Sequence, residues 1–232
     1  MIDAGLRQLP IPFAFRPALG ADDFLVAPGN ADAVAWLDRW PDWPGGGLAI
    51  HGPRACGKSH LAQVWRARSD APVLGPADVA SRSAALVAEA LDGEPRAVVV
   101  EDVDRGVDER ALLHLYNALV GGGGHLLVTG AEAPARWAIG LPDLRSRLLA
   151  LPAVAVAPPD DALLAAVLVK QFADRQLRVA PPVIDFLIAR MERSFAAARD
   201  VVAAIDEASL SRRRKITVPL AREVLAQMND MR

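Results

Sequence analysis

The feature that most constrains this sequence is a glycine-rich segment of eight residues that ends in a lysine and a serine. Its glycines let the backbone curl so that N–H groups face phosphate oxygens, the lysine neutralises β- and γ-phosphate charge, and the serine hydroxyl ligates Mg²⁺. A strand is predicted to end at His51 and a helix to begin at Lys58. The positive N-terminus of that helix would then lie beside the phosphate. An incidental glycine-rich turn is disfavoured because pattern and context agree. The segment predicts a site for the phosphates of a nucleotide with Mg²⁺, formed by Gly52, Pro53, Arg54, Ala55, Cys56, Gly57, Lys58, Ser59 and the following His60.

Strands and helices alternate around this segment. Short apolar strands are predicted at 48–51, 73–74, 97–100, 125–129 and 154–156, and helices at 31–40, 58–68, 83–91 and 109–120. Asn30 is predicted to cap the first of these helices. Continuous apolar strands between helices are typical of a parallel sheet that is covered on both faces, which is an α/β core. After Pro158 only helical periods occur, at 160–175, 182–193, 196–211 and 219–228. We therefore expect an extended tail over 1–15, an α/β nucleotide-binding domain over 16–157 and a helical lid over 158–232.

Composition excludes several classes of protein. Basic and acidic residues number 26 and 28, for a net charge of −2, so bulk positive charge does not hold nucleic acid here. The single cysteine, Cys56, excludes an internal disulfide or a zinc cluster, and we interpret it as a small filler of the loop in a reducing compartment. With neither a secretory signal nor a membrane-length apolar stretch, we expect a cytoplasmic location and no membrane partner. The basic run 212–215 is interpreted as a solvated loop.

Two carboxylates follow the apolar strand 97–100. One of Glu101 and Asp102 could hold Mg²⁺, together with Ser59, while the other orients an attacking water. The usual order places the aspartate first, and the reversed order argues against efficient hydrolysis because a longer carboxylate moves the metal. The alternative is a solvated acidic turn, and Asp104 is predicted to lie at the surface.

Four further polar residues are candidates for the phosphate site. Thr129 ends a predicted strand, where it could reach the γ-phosphate or only cap the strand. Arg145, Arg147 and Arg199 could stabilise charge on a transferred phosphoryl group, although a single such arginine is more often a surface ion-pair partner.

Taken in order, these features resemble the DnaA branch of the AAA+ ATPases. The resemblance runs from about Phe24 to the end of the chain and includes residues 24–30, which are similar to the segment that wraps adenine in that family. It implies that Thr129 is sensor 1, Arg147 an arginine finger and Arg199 sensor 2. DnaA carries a further DNA-binding helix-turn-helix domain with no counterpart here, so the resemblance implies that DNA is contacted only indirectly.

The tail carries a second resemblance. Residues 8–13, with Gln8, Leu9, Ile11 and Phe13 as the binding side chains, resemble the short peptide by which replication proteins bind the sliding clamp. Two prolines preorganise an extended backbone, so binding costs little conformational entropy. An apolar tail that packs on its own domain is the alternative.

The two resemblances together imply a regulator of replication initiation. It would bind ADP or ATP, dock on the DNA-loaded clamp and stimulate ATP hydrolysis by DnaA in trans, which prevents over-initiation. AAA+ modules place nucleotide between subunits, so assembly that depends on nucleotide is expected without a fixed number of copies. Two other classes stay open: a helicase loader or adaptor, and a P-loop small-molecule kinase, against which the all-helical second domain argues.

Overall fold

The computed structural model describes residues 15–16, 24–91, 96–212 and 214–230. The predicted clamp-binding residues Gln8, Leu9, Ile11 and Phe13 lie outside these ranges, and only the backbone of Phe24 is described.

Five parallel strands form the central sheet. They are β3 (Gly47–His51), β4 (Val73–Leu74), β5 (Ala97–Val100), β6 (His125–Gly130) and β7 (Ala153–Ala155). Their spatial order is β4-β5-β6-β3-β7, which brings the carboxyl ends of β5, β6 and β3 side by side. Two short strands, β1 (Phe15–Arg16) and β2 (Phe24–Leu25), pair antiparallel apart from this sheet.

Side chains of the sheet alternate between two helical layers because successive residues of a strand point to opposite faces. Leu48, Ile50 and Val99 pack with α1 (Ala31–Asp38) and α2 (Lys58–Ser69). The other face is covered by α3 (Pro76–Leu91), α4 (Glu109–Gly121) and α5 (Pro142–Ala150) and presents Ala49, Val98, Val100, Leu126 and Val128. The predicted α/β class with a doubly covered parallel sheet is confirmed.

Four helices follow the sheet and build a separate apolar core around Phe172. They are α6 (Asp161–Asp174), α7 (Pro181–Ile188), α8 (Phe195–Arg212) and α9 (Val218–Asp230). The Asp160 carboxylate accepts from the backbone N–H of Leu163 at 2.7 Å and so caps the first of them. A small cluster of Leu25, Ala27, Leu163 and Ala166 joins this helical lid to the segment before α1. Within the described ranges, no helix combines the length and apolarity required to cross a membrane.

Three helices differ from the sequence prediction. Helix α7 ends at Ile188 rather than at residue 193. Helix α5 was not predicted, because only Leu144 and Leu148 of its nine residues are buried and they lie one turn apart. Helix α3 begins at Pro76 rather than at residue 83, since proline is well tolerated in the first turn of a helix.

Asn30 occupies the position before α1, where the sequence predicts a capping side chain, but its side chain makes no capping bond. Its Oδ1 instead accepts from the backbone N–H of Ala27 at 2.8 Å, and its Nδ2 donates to the Leu25 carbonyl at 3.0 Å. Asn30 therefore shapes the segment that meets the lid, and the capping prediction is wrong.

Trp65 is the largest fully buried side chain of the layer formed by α1 and α2, and it stacks on Trp43 with ring centroids 5.0 Å apart. We expect Trp65→Ala to lower the free energy of unfolding by about 3–5 kcal/mol, because the neighbours cannot fill the cavity. The half-buried Trp36, which lies on the rim of the same layer, provides the matched control. Urea unfolding of both variants checks this, and equal losses for Trp65→Ala and Trp36→Ala would contradict it.

Candidate functional site

The loop between β3 and α2 holds its lysine in a buried position. The Lys58 ammonium donates to the Gly52 carbonyl at 2.7 Å and to the Pro53 carbonyl at 3.0 Å, and the residue is 8% exposed. The N-terminus of α2 follows Gly57, whose φ of 108° suits glycine, and no side chain caps it. A buried cation and the uncapped N–H groups of a helix thus meet in one loop, which is the arrangement that binds an anion.

Close approach explains the two glycines of this loop. A Cβ on Gly52 would collide with the Val156 carbonyl oxygen, and a Cβ on Gly57 would lie 3.0 Å from the ring of Phe195 at the start of α8. Cys56 between them is buried, and burial raises the pKa of its thiol despite the opposing charge of Lys58. These facts agree with a packing role for Cys56.

The carboxyl ends of β5 and β6 are tied together beside the loop. The Asp102 backbone N–H donates to Thr129 Oγ1 at 3.0 Å, and Thr129 is buried. Asp102 has a φ of 51°, and its carboxylate lies 3.4 Å from Arg105 NH1. Glu101 Oε1 is buried and has no hydrogen-bond partner among the described residues. The two candidate carboxylates therefore differ, with Asp102 paired and Glu101 carrying an unpaired buried oxygen.

Asp104 is less exposed than the sequence predicts. It is half-buried, and its Oδ2 accepts from the backbone N–H of Ala131 at 2.6 Å and of Glu132 at 3.4 Å. These bonds tie the turn after β5 to the turn after β6, next to the Asp102–Thr129 bond. Local sequence does not reveal this role, because the partners lie 27 and 28 residues away.

A cleft of about 670 Å³ opens between the loop and the lid. It is lined by residues 54–61, which include Ser59 and His60, by Asp102, by α6 and by the start of α8. Six cationic side chains line the cleft: Arg54, Lys58, Arg105, Lys170, Arg175 and Arg199. Two carboxylates, those of Asp102 and Asp174, also line it. This excess of positive charge suits a polyanion such as a nucleotide phosphate chain.

Of the predicted site residues, residues 54–60, Asp102 and Arg199 line the cleft, whereas Gly52, Pro53, Glu101 and Thr129 are not among its lining residues. Arg199 reaches it from the lid as an exposed side chain whose Nε lies 3.3 Å from an Asp200 carboxylate oxygen. Lys170 and Arg175 of the lid were not predicted, since an isolated cation on a helix carries no motif. A second cavity of about 210 Å³ shares Asn30, Cys56 and Leu163 with the cleft and reaches Ala27 and Gly29, within the segment 24–30 for which the family resemblance implies contact with adenine.

Arg147 lies on α5 and is not among the residues that line the cleft. Its Nε is 3.3 Å from Asp143 Oδ1, one turn earlier, and its guanidinium carbon is 5.6 Å from the centre of the Tyr116 ring. The side chain is 39% exposed. Arg145, on the same helix, is exposed.

The chain matches a family model in sequence and several solved structures in fold. Residues 160–225 match the family model of the Hda lid domain. Domain III of the replication initiation protein DnaA from Thermotoga maritima has a TM-score of 0.75 at 16% identity, over 92% of this chain and 98% of that chain. DnaA from Aquifex aeolicus bound to AMPPCP has a TM-score of 0.63 at 17% identity, over 79% of this chain and 63% of that chain.

The fold also occurs in a branch-migration motor. The Thermotoga maritima RuvB Holliday junction motor has a TM-score of 0.64 at 12% identity, over 79% of this chain and 62% of that one. The chain thus spans a little under two thirds of the length of these RuvB and Aquifex aeolicus DnaA chains. The described residues therefore share the fold of these proteins, and the family match covers the helical lid, residues 160–225.

Proposed function

We propose that this chain is an adenine-nucleotide-binding regulator of DNA replication initiation. It docks on the DNA-loaded sliding clamp through Gln8, Leu9, Ile11 and Phe13 and stimulates ATP hydrolysis by DnaA in trans, which prevents over-initiation. The observation that carries the proposal is an Hda lid over a cationic cleft that opens at a phosphate loop.

The nucleotide occupies the cleft in this proposal. Residues 52–59 and His60 bind the phosphates, with Lys58 leaving the loop carbonyls to meet the β- and γ-phosphates. Phe24 lies with the segment that encloses adenine, and Arg199 contacts the phosphates from the lid. Because AMPPCP is bound by DnaA of the same fold, an adenine nucleotide is the ligand that we expect.

The residues at the edge of the sheet fit a Mg²⁺ ion. Glu101 has a buried carboxylate oxygen without a partner among the described residues, and the exposed Ser59 lines the cleft. Ser59 and Glu101 would hold the ion, which supplies positive charge against the phosphates. Asp102 would orient the attacking water, and Thr129, bonded to the Asp102 backbone, would sense the γ-phosphate.

The place of Arg147 supports an action on a second protein. It does not line the cleft of its own chain and is partly exposed on α5, so its guanidinium is available to a neighbouring molecule. An arginine supplied by a partner stabilises the charge of the phosphoryl-transfer transition state. We propose that Arg147 enters the ATP site of DnaA.

Clamp docking is tested with the Gln8→Ala, Leu9→Ala, Phe13→Ala triple variant on an immobilised clamp. We expect the triple variant to lose at least about 30-fold in affinity, because a short extended peptide relies on a few side chains seated in a cleft. ADP affinity is the control and is expected to stay unchanged, since Lys58 and the lid are untouched.

Failure of the unaltered chain to bind the clamp would contradict clamp docking and favour the loader or adaptor. Equal binding by the triple variant would contradict the tail assignment.

A further inference from the structure

The guanidinium of Arg147 is held by two neighbours in the described part of the chain. Asp143 Oδ1 lies 3.3 Å from its Nε, and the Tyr116 ring lies under it at 5.6 Å. The ion pair alone restrains little, because its carboxylate belongs to an exposed side chain on the same helix. The aromatic face is the contact that comes from another element, α4.

Tyr116 is itself fixed. Its hydroxyl donates to the Gly45 carbonyl at 2.8 Å, and the residue is 5% exposed. Burial raises the pKa of the hydroxyl, and the positive charge of Arg147 opposes that rise only in part. The ring therefore stays neutral at physiological pH and presents a rigid, electron-rich face to the cation.

The same helix also holds the start of α5. The Glu109 carboxylate accepts from the backbone N–H of Gly140 at 2.9 Å and from that of Leu141 at 2.6 Å. Leu141 immediately precedes the first residue of α5, so Glu109 fixes the beginning of the helix that carries Arg147. Glu109 and Tyr116 are seven residues apart on α4, two turns along one face.

We propose that Glu109 and Tyr116 are positioning residues that preorganise Arg147 for the ATP site of its partner. This inference rests on the proposed function. Glu109 sets the start of α5, Tyr116 limits the directions that the guanidinium can take, and the exposed part of Arg147 is left for the phosphates. Preorganisation raises the rate of hydrolysis because a flexible arginine would lose conformational entropy when it becomes ordered in the transition state.

The kinetic test compares Tyr116→Leu, Tyr116→Phe and Glu109→Ala with the unaltered chain on the DNA-loaded clamp, with ATP-bound DnaA as substrate. Tyr116→Leu and Glu109→Ala are each expected to lower the maximal stimulated rate about tenfold, with an unchanged half-saturating concentration. Tyr116→Phe keeps the aromatic face and is expected to stay within about twofold. ADP affinity confirms that each variant is folded.

Wild-type maximal rates for both Tyr116→Leu and Glu109→Ala would overturn the inference. So would a loss that appears only in the half-saturating concentration, since that would indicate weaker docking instead of a misplaced arginine.

A spectroscopic test separates this inference from the proposed function. Tyr116 is the only tyrosine in the sequence, so 3-fluorotyrosine gives a single ¹⁹F resonance. We expect Arg147→Ala to shift this resonance and the exposed control Arg136→Ala to leave it in place. A resonance indifferent to Arg147 would overturn the contact. If the unaltered chain does not stimulate DnaA, the proposed function fails, and the ¹⁹F shift still decides whether Tyr116 holds Arg147.

Discussion

The Lys58→Ala variant is expected to bind ADP about 100-fold more weakly than the unaltered chain, as measured by titration calorimetry. The Lys58 ammonium is already buried at the loop, where its bonds to described residues go to the carbonyls of Gly52 and Pro53. Phosphate oxygens would replace these neutral acceptors with charged ones, so most of the benefit of the lysine arises when the nucleotide binds.

Arg66→Ala is the matched control for Lys58→Ala. Arg66 lies on the same helix and is not among the residues that line the cleft, and its Nη1 donates to the Gln63 amide oxygen at 3.3 Å. Its loss is expected to change ADP affinity by no more than about twofold, since exposed pairs contribute little. Unaltered ADP affinity in a folded Lys58→Ala variant would contradict the site.

The Arg147→Ala variant is expected to reduce the stimulated rate of hydrolysis of DnaA-bound ATP by about 1000-fold. If the unaltered chain stimulates hydrolysis by a smaller factor, the variant is expected to leave only the rate of DnaA alone. We expect this loss because, in the proposed function, Arg147 delivers a positive charge to the transition state from outside DnaA. Binding of ADP is expected to stay unchanged, because Arg147 does not line the cleft of its own chain. Rapid-quench measurement of phosphate release, with the clamp on DNA, gives the rate.

Arg136→Ala provides the control for charge, because Arg136 is an exposed arginine outside α5 that pairs with Glu132 at 3.1 Å. A stimulated rate in Arg147→Ala equal to that in Arg136→Ala would remove the role of Arg147. If Arg147→Ala also loses ADP binding, its lower stimulated rate would indicate an unfolded variant and not the loss of the arginine charge.

The core of the site was predictable from sequence because its parts are local. A phosphate loop requires a strand before it and a helix after it, and β3 and α2 are found where the pattern around Lys58 requires them. The apolar strand ahead of Glu101 is short and continuous, as a buried parallel strand must be. The fold class follows from these features and from the change of periodicity after residue 158.

Contacts between distant parts of the chain were not predictable. Asp104 binds backbone groups 27 and 28 residues away, and no local pattern distinguishes it from a surface aspartate. Asn30 has the sequence of a helix cap, but the segment that meets the lid engages its side chain instead. Helix α5 escapes periodicity analysis because only Leu144 and Leu148 of its nine residues are buried, and the contacts from α4 through Glu109 and Tyr116 have no local sequence pattern.

If this chain acts on ATP bound by another protein, hydrolysis of DnaA-bound ATP must depend on the chain. DnaA is loaded with γ-labelled ATP, freed of excess nucleotide and mixed with the unaltered chain, with and without the sliding clamp on DNA. We expect rapid release of labelled phosphate when chain and clamp are both present, and slow release when either is omitted. Equal release with and without the chain would contradict the proposed action on DnaA.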